Sequence, residues 1–261
     1  MGSRPGIRSY RVSFDFYITT AVKWLVIANF VVYAFQLFLF HFYGELTQQH
    51  FVMWFGLVPA GVIPGLRVWQ PFTYLFLHDA TYIWHIILNM LVLWMFGREL
   101  ELVWGRDRFL RYYFLTGVGA GILTVLVRTV PLLFGKPPYD TPTIGASGAI
   151  YGVMIACAIL FPDRRVYLFP IPVPVKMRTV VWIMVAFTFF GTLGIGDDKI
   201  SHVCHLFGML IGYLYLRRDS YLFRLRNEMT DWKHQRARKK FEVYVNKHKG
   251  DPPSHPDRWV N

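Results

Sequence analysis

Charge is scarce in this chain. Asp, Glu, Lys and Arg make up 17% of 261 residues, well under the roughly 25% of an ordinary soluble domain. Such a chain cannot dress most of its surface for water. Hydrophobic residues at 54% and aromatics at 18% point to a multispan membrane protein with Trp and Tyr in the headgroup zones. Cysteine is nearly missing: Cys157 and Cys204 are the whole supply. Both lie in apolar runs, so neither a disulfide framework nor a four-ligand zinc site can be built from them, and both read as small buried hydrophobes. Acidic residues are outnumbered 28 to 16, for a formal charge of +12. The basic residues nevertheless crowd the two ends and a few loops without forming a polar face, which fits membrane topology and excludes nucleic acid as the partner. The first apolar run lacks a small-residue cleavage site and is too long for a signal-peptide core, so it reads as a retained helix.

A span needs about 20 predominantly apolar residues, and six stretches qualify. They run from about Thr20 to Phe42, Thr81 to Phe96, Leu110 to Phe134, Ser147 to Phe161-Pro162, Val180 to Ile195 and Ser201 to Leu216. Arg128 interrupts the third near one end, where its side chain is expected to snorkel. The fourth is short, so one of its ends is expected below the membrane surface. Arg98, Arg106, Arg108, Arg164, Arg165, Lys176 and Arg178 follow the second and fourth spans, which places those loops and both termini in the cytoplasm. The resulting fold class is an all-α integral membrane bundle of six helices. A basic cytoplasmic segment, 1–19, precedes the core, 20–217, and a basic cytoplasmic tail, 218–261, follows it. Within the core the long first loop, 43–78, is apolar and broken by Pro59, Pro64 and Pro71, as expected of a segment lying partly in the outer leaflet.

Polar groups inside spans carry the functional signal, because lipid does not solvate them. Gly145-Ala146-Ser147-Gly148 opens the short fourth span. Alone, that run fits close helix packing as well as it fits a nucleophile. A serine needs a base beside it, and histidine is the usual one near neutral pH. His205 lies at a similar depth on the sixth span, with Gly208 and Gly212 making a small-residue strip below it. His202 shares roughly the same face and remains the alternative base. His85 and Asn89, four residues apart on one face of the second span, suit an oxyanion that needs hydrogen-bond donors. Bridging helices and capping a span would suit them equally. Tyr151 is one turn below Ser147 and is placed to stack on the imidazole. Neither the fourth nor the sixth span contains Asp or Glu, and Asp197 and Asp198 precede His205 by about two turns, so a dyad is expected in place of a triad.

With these residues in view, the chain resembles the rhomboid family of intramembrane serine proteases from about residue 20 to 217. Gly145-Ala146-Ser147-Gly148 resembles the family's GxSG motif, His85 with Asn89 its HxxxN pair, and His205 with Gly208 and Gly212 its HxxGxxxG motif. Tyr151 matches the tyrosine packed on the base, and Phe96-Gly97-Arg98-Glu99-Leu100-Glu101 is similar to the end of the family's second span. Where many members have Trp-Arg in the first loop, this chain has Trp69-Gln70. The resemblance implies a water-filled cavity opening to the extracytoplasmic side, Ser147 as nucleophile and His205 as base. It also implies oxyanion donors at His85 and Asn89, transmembrane protein substrates entering from the bilayer, and no metal or cofactor. A plain six-span core suggests a bacterial-type plasma membrane.

Three other readings compete. A catalytically silent relative binding membrane clients would lack part of the dyad. A metalloenzyme using His78, His85, His202 and His205 would lack a His-Glu-x-x-His motif and carboxylate ligands. A channel would not explain a serine, two histidines and an asparagine at one depth. The natural substrate and the oligomeric state leave no signature in the residues.

Overall fold

Apolar surroundings offer the backbone no hydrogen bonds, so an apolar chain must satisfy its own N–H and C=O groups, and helices do so within one segment. The computed structural model describes residues 17–136, 141–167, 173–192 and 202–218, most of them helical. The elements are α1 (Thr20–Tyr43) and α2 (Glu45–Phe55). Then comes α3, a continuous rod of Trp84–Val92, a π turn at Leu93–Gly97, and Arg98–Trp104. They continue as α4 (Arg106–Thr129), α5 (Ser147–Leu160), α6 (Met177–Thr192) and α7 (202–218). Between α5 and α6, β1 (Arg165–Tyr167) pairs antiparallel with β2 (Pro174–Lys176), Val166 opposite Val175. Residues 1–213 form one compact unit; 214–261 form a second, described only over 214–218. The expected basic head, apart from 17–19, the tail beyond 218, and Asp197, Asp198 and Ser201 lie outside the described residues.

Helices α1 and α4 are long and apolar enough to cross a membrane, while α5 and α6 are apolar but shorter. At about 1.5 Å per residue, α5 spans roughly 21 Å. It sits at the centre of the first unit, against α3, α4 and α6, with Ala149, Val153, Ala156 and Cys157 fully enclosed.

Three boundaries or placements differ from expectation. The second apolar stretch does not close at Phe96 but runs to Trp104, where Gly105 at φ +76° ends it. The π turn carries it past Gly97, whose missing side chain admits Val22 of α1. Its Phe96 carbonyl accepts the Cys157 thiol at 3.4 Å. Glu101, at the far end of α3, is 6% exposed and accepts the Ala21 and Val22 N–H groups at 2.8 and 3.0 Å. Its carboxylate thus satisfies two orphan donors at the start of α1. The third stretch leaves α geometry at Thr129 and finishes as a 3-10 segment, Val130–Phe134, where Pro131 lacks the N–H an α-helix would use. Finally, Arg128 does not snorkel. It is 5% exposed and donates to Thr143 Oγ1 at 3.0 Å and Thr141 O at 2.6 Å, because acceptors lie inside the protein. Thr143 in turn exchanges both backbone hydrogen bonds with Leu57, so the strand-like approach to Ser147 is tied to α4 and to the first loop.

The first loop is built around the end of α2, whose last carbonyls have no helical partner. Side chains from 67–73 take them. Arg67 donates to Met53 O at 2.9 Å, Trp69 Nε1 to Trp54 O at 2.9 Å, and Thr73 to Phe55 O at 2.6 Å. Gln70, fully buried, donates to Met53 O at 3.0 Å and Trp54 O at 3.2 Å and accepts from Val58 N–H at 3.0 Å. Trp54 and Trp69 stack with 3° between planes, and the Arg67 guanidinium lies 4.4 Å over Trp54. Gln70 thus serves as a clasp between the end of α2 and the segment that follows it.

Candidate active site

The position of Ser147 begins with Gly145. Its φ of +117° suits only glycine, and a Cβ there would lie 2.9 Å from His85 Nε2. Its N–H is held by Tyr74 O at 2.9 Å. Ser147 follows as the first residue of α5. The Ile150 N–H bonds Ala146 O at 3.1 Å, so the amides of 147–149 precede that bond and form the positive end of the helix beside the hydroxyl.

His205 arrives by backbone contact between helices. A Cβ at Gly208 would overlap the Gly148 carbonyl oxygen, and one at Gly212 would lie 3.1 Å from Gly152 Cα. With no side chain at these positions, α7 rests directly on α5. One turn before Gly208, the His205 imidazole is carried to the serine, Nε2 to Oγ 2.6 Å. Tyr151 stacks on that imidazole, centroids 4.3 Å apart and planes 14° from parallel. His202 is placed otherwise: its ring lies against Gly191 of α6 and edge-on to Phe187.

Ser147, His205, Tyr151, His85 and Asn89 line one cavity of about 550 Å³, with Asp79, Tyr82, Leu88, Val92, Ile150, Met154 and Met184. Its polar groups converge in an apolar wall, as ligand sites require. Asn89 donates one amide hydrogen to His85 O at 2.7 Å, leaving its second hydrogen outside that bond. His85 accepts the Asp79 N–H on Nδ1 at 3.3 Å. Behind it His78 is fully buried, its ring 5.1 Å from that of His85. Burial, and next the neighbouring His85, lower the His78 pKa to about 3, so the ring is neutral at physiological pH.

Among the described residues no three His, Cys, Asp or Glu side chains gather as a metal site would need. Several supporting residues carried no motif. Tyr74 donates to Gly117 O at 2.7 Å, and its hydroxyl lies 3.5 Å from the Cys204 sulfur. Tyr112 donates to Gly152 O at 2.8 Å. Gln36 of α1 grips the main chain of His78. As a polar residue in the first apolar run, Gln36 did carry a readable signal.

Many large apolar side chains are exposed on the described helices, and α1 and α4 are long and apolar enough to cross a membrane. A family model described as the Rhomboid domain matches residues 65–221, more than half of the chain, which belongs to the rhomboid family. Rhomboid protein 1, mitochondrial, of Saccharomyces cerevisiae is 30% identical over 132 residues, 51% of this chain and 37% of that protein. Presenilin-associated rhomboid-like protein A, mitochondrial, of Danio rerio is 29% identical over 133 residues, 51% and 33% of the two chains. Rhomboid protease GluP of Bacillus subtilis is 28% identical over 177 residues, 67% of this chain and 31% of its own. The chain thus spans about a third of the length of these curated relatives. Membership of the family supports residence in a membrane, whereas two of these relatives are mitochondrial by name, so the expected bacterial plasma membrane is not supported.

Proposed function

We propose that this chain is an intramembrane serine endopeptidase that hydrolyses peptide bonds in or near transmembrane segments of other membrane proteins. The observation that carries this reading is the 2.6 Å approach of His205 Nε2 to Ser147 Oγ inside the cavity that also holds His85 and Asn89. In the proposed reaction Nε2 takes the hydroxyl proton as Oγ attacks the scissile carbonyl carbon. His205 returns that proton to the leaving amine, and a water, deprotonated by the same nitrogen, releases the acyl group. The stacked Tyr151 ring fixes the imidazole plane, a contact worth about 1 kcal/mol, in a site whose two central helices carry no carboxylate. Negative charge on the carbonyl oxygen is met by His85, Asn89 and the first amides of α5; each such donor is worth about 10²- to 10³-fold in rate.

The protease domain in this reading is 20–217, a six-helix bundle with both termini cytoplasmic and its cavity opening to the extracytoplasmic side. The basic segments 1–19 and 218–261 flank it. A client helix enters from the bilayer and unwinds at the cavity, where water is available. The test is cleavage of a reporter transmembrane substrate in proteoliposomes. Ser147→Ala and His205→Ala are expected to lose cleavage while keeping the melting temperature and elution volume of the parent, and His202→Ala is expected to keep most of it. Undiminished cleavage by Ser147→Ala would overturn the reading.

A further inference from the structure

Asp79 N–H can only donate, so His85 Nδ1, 3.3 Å away, must be its acceptor. A neutral imidazole that accepts on Nδ1 carries its proton on Nε2, the nitrogen nearest Gly145 and the approach to Ser147. What aims the Asp79 N–H is on the other side of the same peptide group. The His78 carbonyl accepts Gln36 Nε2 at 2.9 Å, and His78 N–H donates to Gln36 Oε1 at 3.0 Å. Gln36 and His78 are both fully buried, so the two bonds form a clasp shielded from solvent, where hydrogen bonds are strongest. A trans peptide is planar, with C=O and N–H pointing in opposite directions. Holding the His78 oxygen toward α1 therefore holds the Asp79 N–H toward α3 and His85. The Asp79 carboxylate caps Thr81, accepting its N–H at 2.8 Å and its hydroxyl at 2.7 Å, which keeps that peptide from turning over.

We propose that Gln36 is a positioning residue. It clasps the main chain of His78, presents the Asp79 N–H to His85 Nδ1, and so fixes the tautomer in which His85 donates from Nε2 to the oxyanion. The proposal rests on the protease reading for its consequence in rate, but the tautomer itself can be read without any turnover. Histidine-labelled ¹⁵N NMR of the full chain in detergent, with His85 assigned by comparison with His85→Gln, reports which ring nitrogen is protonated. The parent is expected to show the Nε2–H form of His85. Gln36→Met, similar in length but without the amide, is expected to show a mixture containing Nδ1–H. Its kcat should fall about 10-fold or more, short of the 10²- to 10³-fold typical of deleting an oxyanion donor, with KM within about twofold. Gln36→Asn, polar but one methylene too short to close the clasp, replaces it if the Met variant does not fold, and the same shifts are expected. An Nδ1–H tautomer in the parent, or unchanged His85 shifts and kcat in a folded Gln36 variant, would overturn the proposal. A parent with the Nε2–H tautomer and no peptidase activity would instead count against the protease reading alone.

Discussion

Where α7 crosses α5, backbone meets backbone: Gly208 sits on the Gly148 carbonyl, and Gly212 lies against Gly152 and the Tyr112 hydroxyl bonded to it. In the first loop the backbone is held at arm's length, the last carbonyls of α2 being taken by Arg67, Trp69, Gln70 and Thr73. Both devices fix main chain in apolar surroundings, but their tolerances differ. A glycine crossing depends on excluded volume and fails at the first added carbon. A set of side-chain hydrogen bonds loses members one at a time, each net about 1 kcal/mol, with more lost when a buried group is orphaned. Ser147 and His205 hang on the first device, and the first loop on the second.

The sharpest way to break this contrast is Gly208→Ala. Its methyl would overlap the Gly148 carbonyl oxygen, so we expect a loss of about 3 kcal/mol or more, with α7 pushed off α5. Unfolding in detergent and crosslinking between α5 and α7 would check it; parental stability would show that the crossing is not tight. Gln70→Ala comes next. It removes three hydrogen bonds and leaves the Val58 N–H without its acceptor, for an expected loss of about 2–3 kcal/mol. The Ser147–His205 distance should not change, which trapping by a serine-directed reagent would report.

The smallest effect expected is acid sensitivity from His78. Its pKa in the folded protein is about 3 against an ordinary 6.5, so the unfolded chain binds the extra proton. The stability it contributes is whole above about pH 6.5 and is lost as pH falls toward 3, a loss of about 2 kcal/mol by about pH 5. Melting curves over that window should flatten in His78→Phe. A parent with no acid dependence there would mean that His78 is not shielded as described.

The same contrast explains what could be read from residues alone. Glycine crossings and polar residues within apolar runs leave marks of spacing and type, so the meeting of Ser147, His205 and Tyr151 was legible, as were α1, α5, α6 and α7 over their described residues. Side chains that bond to main chain leave no such mark. Glu101 capping α1, Gln70 closing the loop, and Arg128 held inside by Thr141 and Thr143 all depend on where distant carbonyls and amides fall. The π turn at Leu93–Gly97, where Val22 of α1 and Phe109 of α4 lie against Gly97, likewise leaves no mark in the local sequence.

The central claim is that a proton passes between Ser147 and His205 in a cavity within the membrane. Mass spectrometry of the folded chain after treatment with a fluorophosphonate in detergent measures this directly. The account predicts a stoichiometric adduct on Ser147 that disappears in His205→Ala and persists in His202→Ala; no adduct on Ser147, or equal labelling with His205 removed, would contradict it.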